Sequence, residues 1–355
     1  MTRDWSSVGE VSRDAVAGMV EHLRPSWTVE TVEPSEHGTD FVAMLRVSTP
    51  GGQRRVVLKA TTAEWVQSET VLAEHRLLST VGEQTGIPVP RVFGACEQHP
   101  AYPTPFYLMS YVEGRNYEGE GPPAGVQRRT LRDAGRHLAA LHELDTPVEG
   151  RVGRVGARDG ELVTLDTGEF TSGESFHPWL LAAYEAHVED RALGSGFPGL
   201  ADSHDRWEDA VPSLRAKLRA TIPGLPEPEP PVLCHSDYRY GNLLVDPETG
   251  ETRAVLDWGL MTVGAPAYNL AKTESLMLAP EEDGPELTAE LRETFRSAYA
   301  AAREGWRFDD GTLRRMELYR LLCRIDAMSC LPLWHSPGNR DERAAEHREF
   351  VRRYL

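Results

Sequence analysis

Lysine is almost missing: of 38 basic residues in 355, only Lys59, Lys217 and Lys272 are lysines and the rest are arginines. A composition that elsewhere chooses arginine has kept lysine at three places, and one of them, Lys59, sits inside a strand-like run. Cysteine is scarce as well. Cys96, Cys234, Cys323 and Cys330 show no Cys-x-x-Cys spacing and no histidines at zinc-finger intervals, so neither a disulfide framework nor a structural zinc is expected. They read as small core residues. No run of about 18 apolar residues occurs, and the first five residues lack the apolar stretch of a signal peptide. No membrane association and a cytoplasmic location are therefore expected. Positive charge is in deficit, with 38 basic against 55 acidic residues and a net charge of −17. Phosphate backbones need a basic footprint, so nucleic-acid binding is disfavoured.

What is present fits a folded chain. Hydrophobic residues make up 40% and charged residues 26%, near the globular average, and the length suits a two-lobed enzyme or two domains. Ser12 is a candidate N-cap for a helix over 12–23, with Val16, Met19, Val20 and Leu23 at helical spacing. Strand patterns follow over 27–33, 40–47 and 54–60, separated by the His37-Gly38-Thr39 and Pro50-Gly51-Gly52 turn signals, and predict an antiparallel meander. A helix over 63–82 and strands over 91–96 and 106–112 complete an N-terminal lobe, 1–115. The remainder, 116–355, reads as mostly helical over 126–144, 178–190, 207–220, 287–303 and 313–328, the last of these closing the chain. Its only clear strand signals lie between Pro231 and Asp257.

Those strands enclose the chemistry. Val232-Leu233-Cys234-His235 runs into a polar loop that places Asp237 and Asn242 five residues apart. Asp237 can accept or orient the proton of an attacking hydroxyl, and Asn242 offers a neutral oxygen to Mg²⁺. Leu243-Leu244-Val245, the turn Asp246-Pro247-Glu248-Thr249-Gly250 and Arg253-Ala254-Val255-Leu256 form a hairpin signature ending at Asp257. If the hairpin is symmetric about Thr249-Gly250, Asn242 faces Asp257 at about 5 Å and both can hold one metal cluster. Alone, each of these residues is an ordinary turn former; together they suggest a site.

His235-Ser236-Asp237 through Asn242, followed by Asp257-Trp258-Gly259, resembles the catalytic loop and metal-binding motif of the aminoglycoside phosphotransferase and choline kinase-like family. The resemblance covers most of the chain. It implies a protein-kinase-like α+β fold with two lobes, a nucleotide-binding N-lobe (1–115) with an antiparallel sheet, and a mostly helical C-lobe (116–355) holding the acceptor pocket. It also implies ATP and Mg²⁺ as cofactors and a small-molecule hydroxyl acceptor as partner. On matching positions, Lys59 corresponds to the strand lysine that contacts the α- and β-phosphates, and Glu74 to the helix glutamate that pairs with it. Gly38 falls in the phosphate-covering loop, and Ser110 and Val112 in the interlobe hinge whose backbone meets adenine. Arg239 corresponds to a cation that neutralises the transferred phosphoryl group, with a plain salt bridge as its alternative. His142, on the long C-lobe helix, reads as structural.

Two departures stand out. Ala265 and Asn269 occupy positions where the family usually shows aspartates that brace the loop. That leaves a nucleotide-binding pseudoenzyme or sensor as the alternative to a small-molecule kinase, although Lys59, Asp237, Asn242 and Asp257 are all present. Too few residues follow Asp257 for the activation segment of a protein kinase, which disfavours a protein substrate. Residues 1–115 hold 14 acidic and 10 basic residues, net −4, against 41 and 28, net −13, in the rest. This excess points to a cationic or polyhydroxylated acceptor, with Glu274, Glu281, Glu282, Asp283 and Asp326 as candidate lining groups.

Overall fold

The computed structural model of the chain describes residues 11–35, 40–62, 68–119, 121–145, 148, 151–166, 172–189, 206–226, 228–278 and 280–355. In chain order the elements are α1 (Arg13–Leu23), β1 (Thr28–Pro34), β2 (Phe41–Thr49), β3 (Gly52–Ala60), α2 (Ser68–Gln84), β4 (Val92–Cys96), β5 (Phe106–Ser110) and α3 (Ala124–Glu143). There follow β6 (Gly153–Arg158), β7 (Glu161–Thr164), α4 (Phe176–Glu189), α5 (Val211–Thr221), β8 (Val232–His235), β9 (Leu243–Val245), β10 (Thr252–Val255) and β11 (Met261–Gly264). Helices α6 (Pro266–Met277), α7 (Pro280–Ala302, broken at Gly284), α8 (Asp310–Ser329), α9 (Leu331–Trp334) and α10 (Arg340–Arg352) complete the order. They pack as two compact units interleaved in sequence. The first comprises residues up to Asp133 with Val155–Val163 and Tyr240–Leu260; the second comprises Ala134–Arg154, Thr164–Arg239 and Met261–Leu355. Residue 115 falls inside the first unit.

The first unit is built on a five-stranded antiparallel sheet in the order β1-β2-β3-β5-β4. Strand alternation decides which side chains go where. Phe41, Ala43, Leu45 and Val47 of β2 and Val56, Leu58 and Ala60 of β3 bury one face against Val16, Met19 and Val20 of α1. Each fully buried Val or Leu there contributes roughly 1.5–3 kcal/mol. Helix α1 presents those residues because Ser12 starts it: the Ser12 hydroxyl accepts from the Ala15 N–H at 3.2 Å, as an N-cap should. Lys59, one residue off the buried register of β3, faces the other side of the sheet, between Val42 of β2 and Tyr107 of β5.

The β9–β10 hairpin also belongs to this unit. Asp246 organises its turn by accepting from the N–H groups of Glu248 and Thr249 at 3.0 and 2.9 Å, while its other oxygen accepts from Arg253 at 2.8 Å. Arg115 pairs with Val245 through two backbone hydrogen bonds of 2.7 and 3.0 Å. At Gly114 a Cβ would lie 2.9 Å from the Leu244 Cβ, so the close approach of these two segments requires glycine.

In the second unit β11 is paired with β8 on one side, from Met261↔His235 to Gly264↔Val232, and with Gly153 and Arg154 of β6 on the other. Helix α6, buried on nearly every turn, follows directly from β11.

The structure corrects three expectations. Strands β6 and β7 precede Pro231, and β11 follows Asp257, so the second half holds more sheet than its sequence suggested. Asp159 and Gly160 join β6 to β7 with φ of 52° and 86°, and this Asp-Gly pair with two positive φ angles was the available signal. The β9–β10 register is also not symmetric: Thr252 pairs with Val245, but Ala254 pairs with Leu244 and Val255 with Leu243. A bulge adds one residue to β10, and Leu256 rather than Asp257 comes opposite Asn242, its N–H donating to the Asn242 carbonyl at 2.8 Å. Finally, α9 and α10 follow the helix expected to close the chain. Helix α10 was hard to see because it buries only Ala344, His347 and Val351.

Candidate active site

On the side of β3 that faces away from α1, the Lys59 ammonium lies 2.7 Å from Glu74 Oε2 of α2 and 4.0 Å from Asp257 Oδ1. Burial by itself would lower the Lys59 pKa, but Glu74, then Tyr107, Asp257 and Asp40, outweigh it and hold it well above the ordinary value. Lys59 is a fixed cation. Glu74 is almost completely buried, and burial raises its pKa against the pull of Lys59. The pair is therefore held by geometry in a low-dielectric place, where losing either partner leaves an uncompensated charge.

Asp257 has φ of 59°. A left-handed backbone at a residue other than glycine is uncommon and costs on the order of 1 kcal/mol, and such residues concentrate where side chains are placed for function. Here the turn after β10 carries the carboxylate to Lys59. Asp40, at the start of β2, completes the group and was missed by sequence reading, which saw only a strand residue. It is 7% exposed, and its Oδ1 is buried without a hydrogen-bond partner among the described residues. Burial raises its pKa first, Lys59 opposes that, and Asp257 adds to it.

Three carboxylates around one ammonium leave this place with an excess of negative oxygens. Among the described residues no cluster of three or more His, Cys, Asp or Glu side chains forms a ready-made metal cage. Mg²⁺ does not need one, since it commonly takes one or two protein oxygens together with phosphate oxygens and water. The half-exposed Asp257 carboxylate (40%) and the unpartnered Asp40 oxygen suit that pattern, and Asn242, buried beside the same turn, adds an amide.

Of the residues expected at an interlobe hinge, Ser110 ends β5 with its N–H already donating to the Arg91 carbonyl at 2.8 Å, and Val112 lies two residues beyond the strand. Gly38 lies outside the described residues.

The second unit carries the loop after β8, and almost every residue of it is tied down. Asn269 of α6 holds both backbone polar groups of His235, accepting from its N–H at 3.1 Å and donating to its carbonyl at 2.8 Å. The Ser236 hydroxyl donates to Thr262 of β11 at 3.0 Å, the Asp237 N–H donates to His235 Nδ1 at 3.3 Å, and the Tyr238 hydroxyl bonds His137 of α3 at 2.8 Å. Asp237 is thus presented on a rigid turn, with Arg239 Nε donating to its Oδ2 at 3.1 Å. The structure gives Arg239 the ion pair that was its alternative reading.

Lys59, Glu74 and Asp257 are therefore brought together in one unit, with Asn242 beside them, and Asp237 with Arg239 in the other. Residues 31–311 match the phosphotransferase enzyme family, APH. The chain belongs to that family. Solved APH-type enzymes share its fold over nearly their whole length. The chain superposes on aminoglycoside phosphotransferase APH(4)-Ia with a TM-score of 0.61 at 15% identity, covering 97% of this chain and 99% of that one. A thermostable mutant of the same enzyme, in a ternary complex with AMP-PNP and hygromycin B, gives 0.60 at 16% identity, with 96% and 98% covered. The APH fold is the two-lobed, protein-kinase-like α+β fold.

Among curated proteins, the chain is 25% identical over 198 residues to acyl-CoA dehydrogenase family member 10 of Mus musculus, covering 56% of this chain and 16% of that protein. It is 26% identical over 231 residues to the probable acyl-CoA dehydrogenase IBR3 of Arabidopsis thaliana, covering 62% and 25%. The chain thus spans a quarter or less of the length of these curated relatives. Among the described residues no helix is long and apolar enough to cross a membrane.

Proposed function

We propose that this APH-family protein is an ATP- and Mg²⁺-dependent phosphotransferase that moves the γ-phosphoryl group of ATP to a hydroxyl of a small molecule. The observation that carries the reading is the Lys59–Glu74 pair at 2.7 Å with the Asp257 carboxylate 4.0 Å from the same ammonium, in a chain of a phosphotransferase family. In this reading Lys59 holds the α- and β-phosphates, and Glu74 fixes the lysine so that little is reorganised when nucleotide binds. Asp257, with Asn242 and Asp40 as further oxygen donors, would hold Mg²⁺, which supplies charge neutralisation at the phosphates when bound. The carbonyl of Ser110 and the backbone of Val112 would meet the adenine edge, and the segment around Gly38 would cover the phosphates.

Asp237 orients the acceptor hydroxyl and takes its proton as the oxygen attacks the γ-phosphorus. The bond from that phosphorus to the bridging oxygen breaks, and ADP leaves with the electron pair. Arg239, 3.1 Å from Asp237, keeps that carboxylate in position and places positive charge beside the transferred group. The alternative of a nucleotide-binding pseudoenzyme rests on Ala265 and Asn269, both in place of aspartates. At Asn269 the two-way hold on His235 weakens it, because there the loop is braced without the aspartate.

The test is ADP release coupled to a dye-linked readout across hydroxyl compounds. Acceptor-dependent release that falls by about 10² or more in Asp237→Asn, with Mg-ATP affinity nearly intact, supports the assignment. Nucleotide binding without turnover over the whole panel favours the sensor instead.

A further inference from the structure

Within the second unit, a cavity of about 120 Å³ has Ser236 in its wall, the residue before Asp237. The polar groups of that wall are turned on one another in three pairs. The Ser236 hydroxyl donates to the Thr262 hydroxyl of β11 at 3.0 Å, and the Tyr184 and Tyr268 hydroxyls of α4 and α6 share a hydrogen bond of 3.0 Å. Lys272 Nζ of α6 meets Asp326 Oδ2 of α8 at 2.9 Å. Burial alone would lower the Lys272 pKa, but its neighbours, Asp326 foremost, outweigh it and hold it well above the ordinary value. These two charges therefore balance each other at the wall. Arg154 of β6 is partnered as well. Trp179, Leu180 and Ala183 of α4 make up the rest. The indole Nε1 of Trp179 is buried with no hydrogen-bond partner among the described residues, and as a donor only it adds nothing that would attract an ammonium.

A charged ligand group loses its water on entering such a wall and is repaid only by an unpaired opposite charge. An ammonium would have to take Asp326 from Lys272, and a carboxylate would have to take Lys272 from Asp326. Either exchange strands the displaced charge, because both side chains are mostly withdrawn from solvent, at 20% and 26% exposure. An uncharged apolar group disturbs neither and gains roughly 25 cal/mol for each Å² it buries. We propose that this cavity receives the acceptor, that the acceptor is an uncharged alcohol with a compact apolar body, and that the Lys272–Asp326 pair sets this selectivity by keeping both charges occupied. Calling the ligand an acceptor rests on the phosphotransferase reading; the preference for an uncharged body does not. It departs from the cationic acceptor suggested by the acidic excess of residues 116–355, because average charge does not describe this wall. Asp326 is held by Lys272, Glu274 is enclosed by arginines, and the side chains of Glu281 and Glu282 lie outside the described residues.

The experiment uses three benzyl alcohols of matched size that differ in charge at the para position: methyl, aminomethyl and carboxylate. At matched ionic strength, kcat/KM for the methyl compound should exceed both ions by at least about 10-fold. The single variants unmask one charge each. Lys272→Met leaves Asp326 unpaired and should move the ranking toward the aminomethyl compound by at least about 10-fold, and Asp326→Asn should move it as far toward the carboxylate. The double variant, Lys272→Met with Asp326→Asn, is charge-balanced and should return to the methyl compound, which keeps the test open if a single variant fails to fold. An ion preferred in the wild type, a folded single variant that keeps the wild-type ranking, or a double variant that prefers an ion overturns the proposal. Failure of the phosphotransferase reading shows separately, as no ADP release with any hydroxyl compound, and the cavity is then judged by melting. A Tm raised by the methyl compound more than by either ion, and not raised in the cavity-filling Ala183→Trp, sustains the uncharged site; no rise, or a larger rise with an ion, sinks it.

Discussion

His142 donates from Nε2 to the side-chain oxygen of Asn269 across 3.0 Å, and this contact fixes the protonation of a fully buried chain of groups. The orientation of Asn269 is not arbitrary, because its amide must give a proton to the His235 carbonyl and its oxygen must take one from the His235 N–H. His142 therefore carries its proton on Nε2, and its Nδ1 accepts from the Tyr299 hydroxyl at 2.7 Å. Burial pushes the His142 pKa down to about 3, which agrees with a neutral ring. The reading of His142 as structural fits this position behind the loop.

Replacing Asn269 by aspartate tests whether the amide is needed. The carboxylate could still accept from His142 and from the His235 N–H, but its second oxygen would face the His235 carbonyl with no proton to give. A loss of about 1–3 kcal/mol in stability is expected, with turnover falling by about tenfold and KM for Mg-ATP little changed. Equal stability in urea denaturation would show that the brace does not depend on the donor.

Asp257→Ala should abolish Mg²⁺-dependent nucleotide binding, since the remaining donors of the first unit do not replace its carboxylate. Calorimetry with and without Mg²⁺ measures this directly. Unchanged affinity would remove Asp257 from the metal site and leave its positive φ without a functional account.

Glu274 makes a different kind of prediction. Its carboxylate, only 2% exposed, receives Arg296 at 2.6 Å, Arg320 at 2.9 Å and Arg292 at 3.3 Å. Glu274→Ala leaves three guanidinium groups around a vacated partner and should cost about 3–5 kcal/mol, read as a drop in the denaturant midpoint. A near-neutral effect would mean that the arginines reach solvent instead.

Stability should fall as the solution is acidified below the ordinary histidine range. Burial holds His142 and His347 down to about 3 and His75 down to about 4, so between those values and about 6.5 the unfolded chain binds more protons than the folded one. Their contribution is complete above about 6.5 and disappears as the pH drops through 4 to 3, at up to about 1.4 kcal/mol per pH unit for each group. Asp40 and Glu74, raised by burial, act in the opposite sense at the low end of this window. Urea midpoints at pH 7, 6 and 5 should decrease, and His347→Gln should flatten the slope by about one proton; a flat profile in the wild type contradicts the assignment.

Where the sequence was informative, the reason is periodicity. Alternation around Val56, Leu58 and Ala60 located β3 and put Lys59 on the opposite face, and helical spacing with Ser12 located α1. The loop from His235 to Asn242 and the turn at Asp257 were legible because polar residues follow short apolar strands. What escaped has no periodic signature. The β9–β10 register, with its bulge in β10, sets Leu256 rather than Asp257 opposite Asn242, yet alternation looks the same on either side of the bulge. Asp40 differs from any polar strand-end residue only in what surrounds it, and Lys272 and Arg154, 118 positions apart, meet at one cavity only through the packing of α6 and β11 with β6.

The split of the chain between Arg239 and Tyr240 bears on how such a protein can be recombined. Because Tyr240–Leu260 packs with the N-terminal sheet, through Arg115 and Val245 and the bare Gly114 backbone against Leu244, residues 1–115 are not a portable cassette. A chimaera that exchanged them for those of a relative would import a new lysine and glutamate against the host's own Asp257 hairpin. The unit of inheritance for this half is discontinuous, and grafts that respect it must carry the 240–260 segment along.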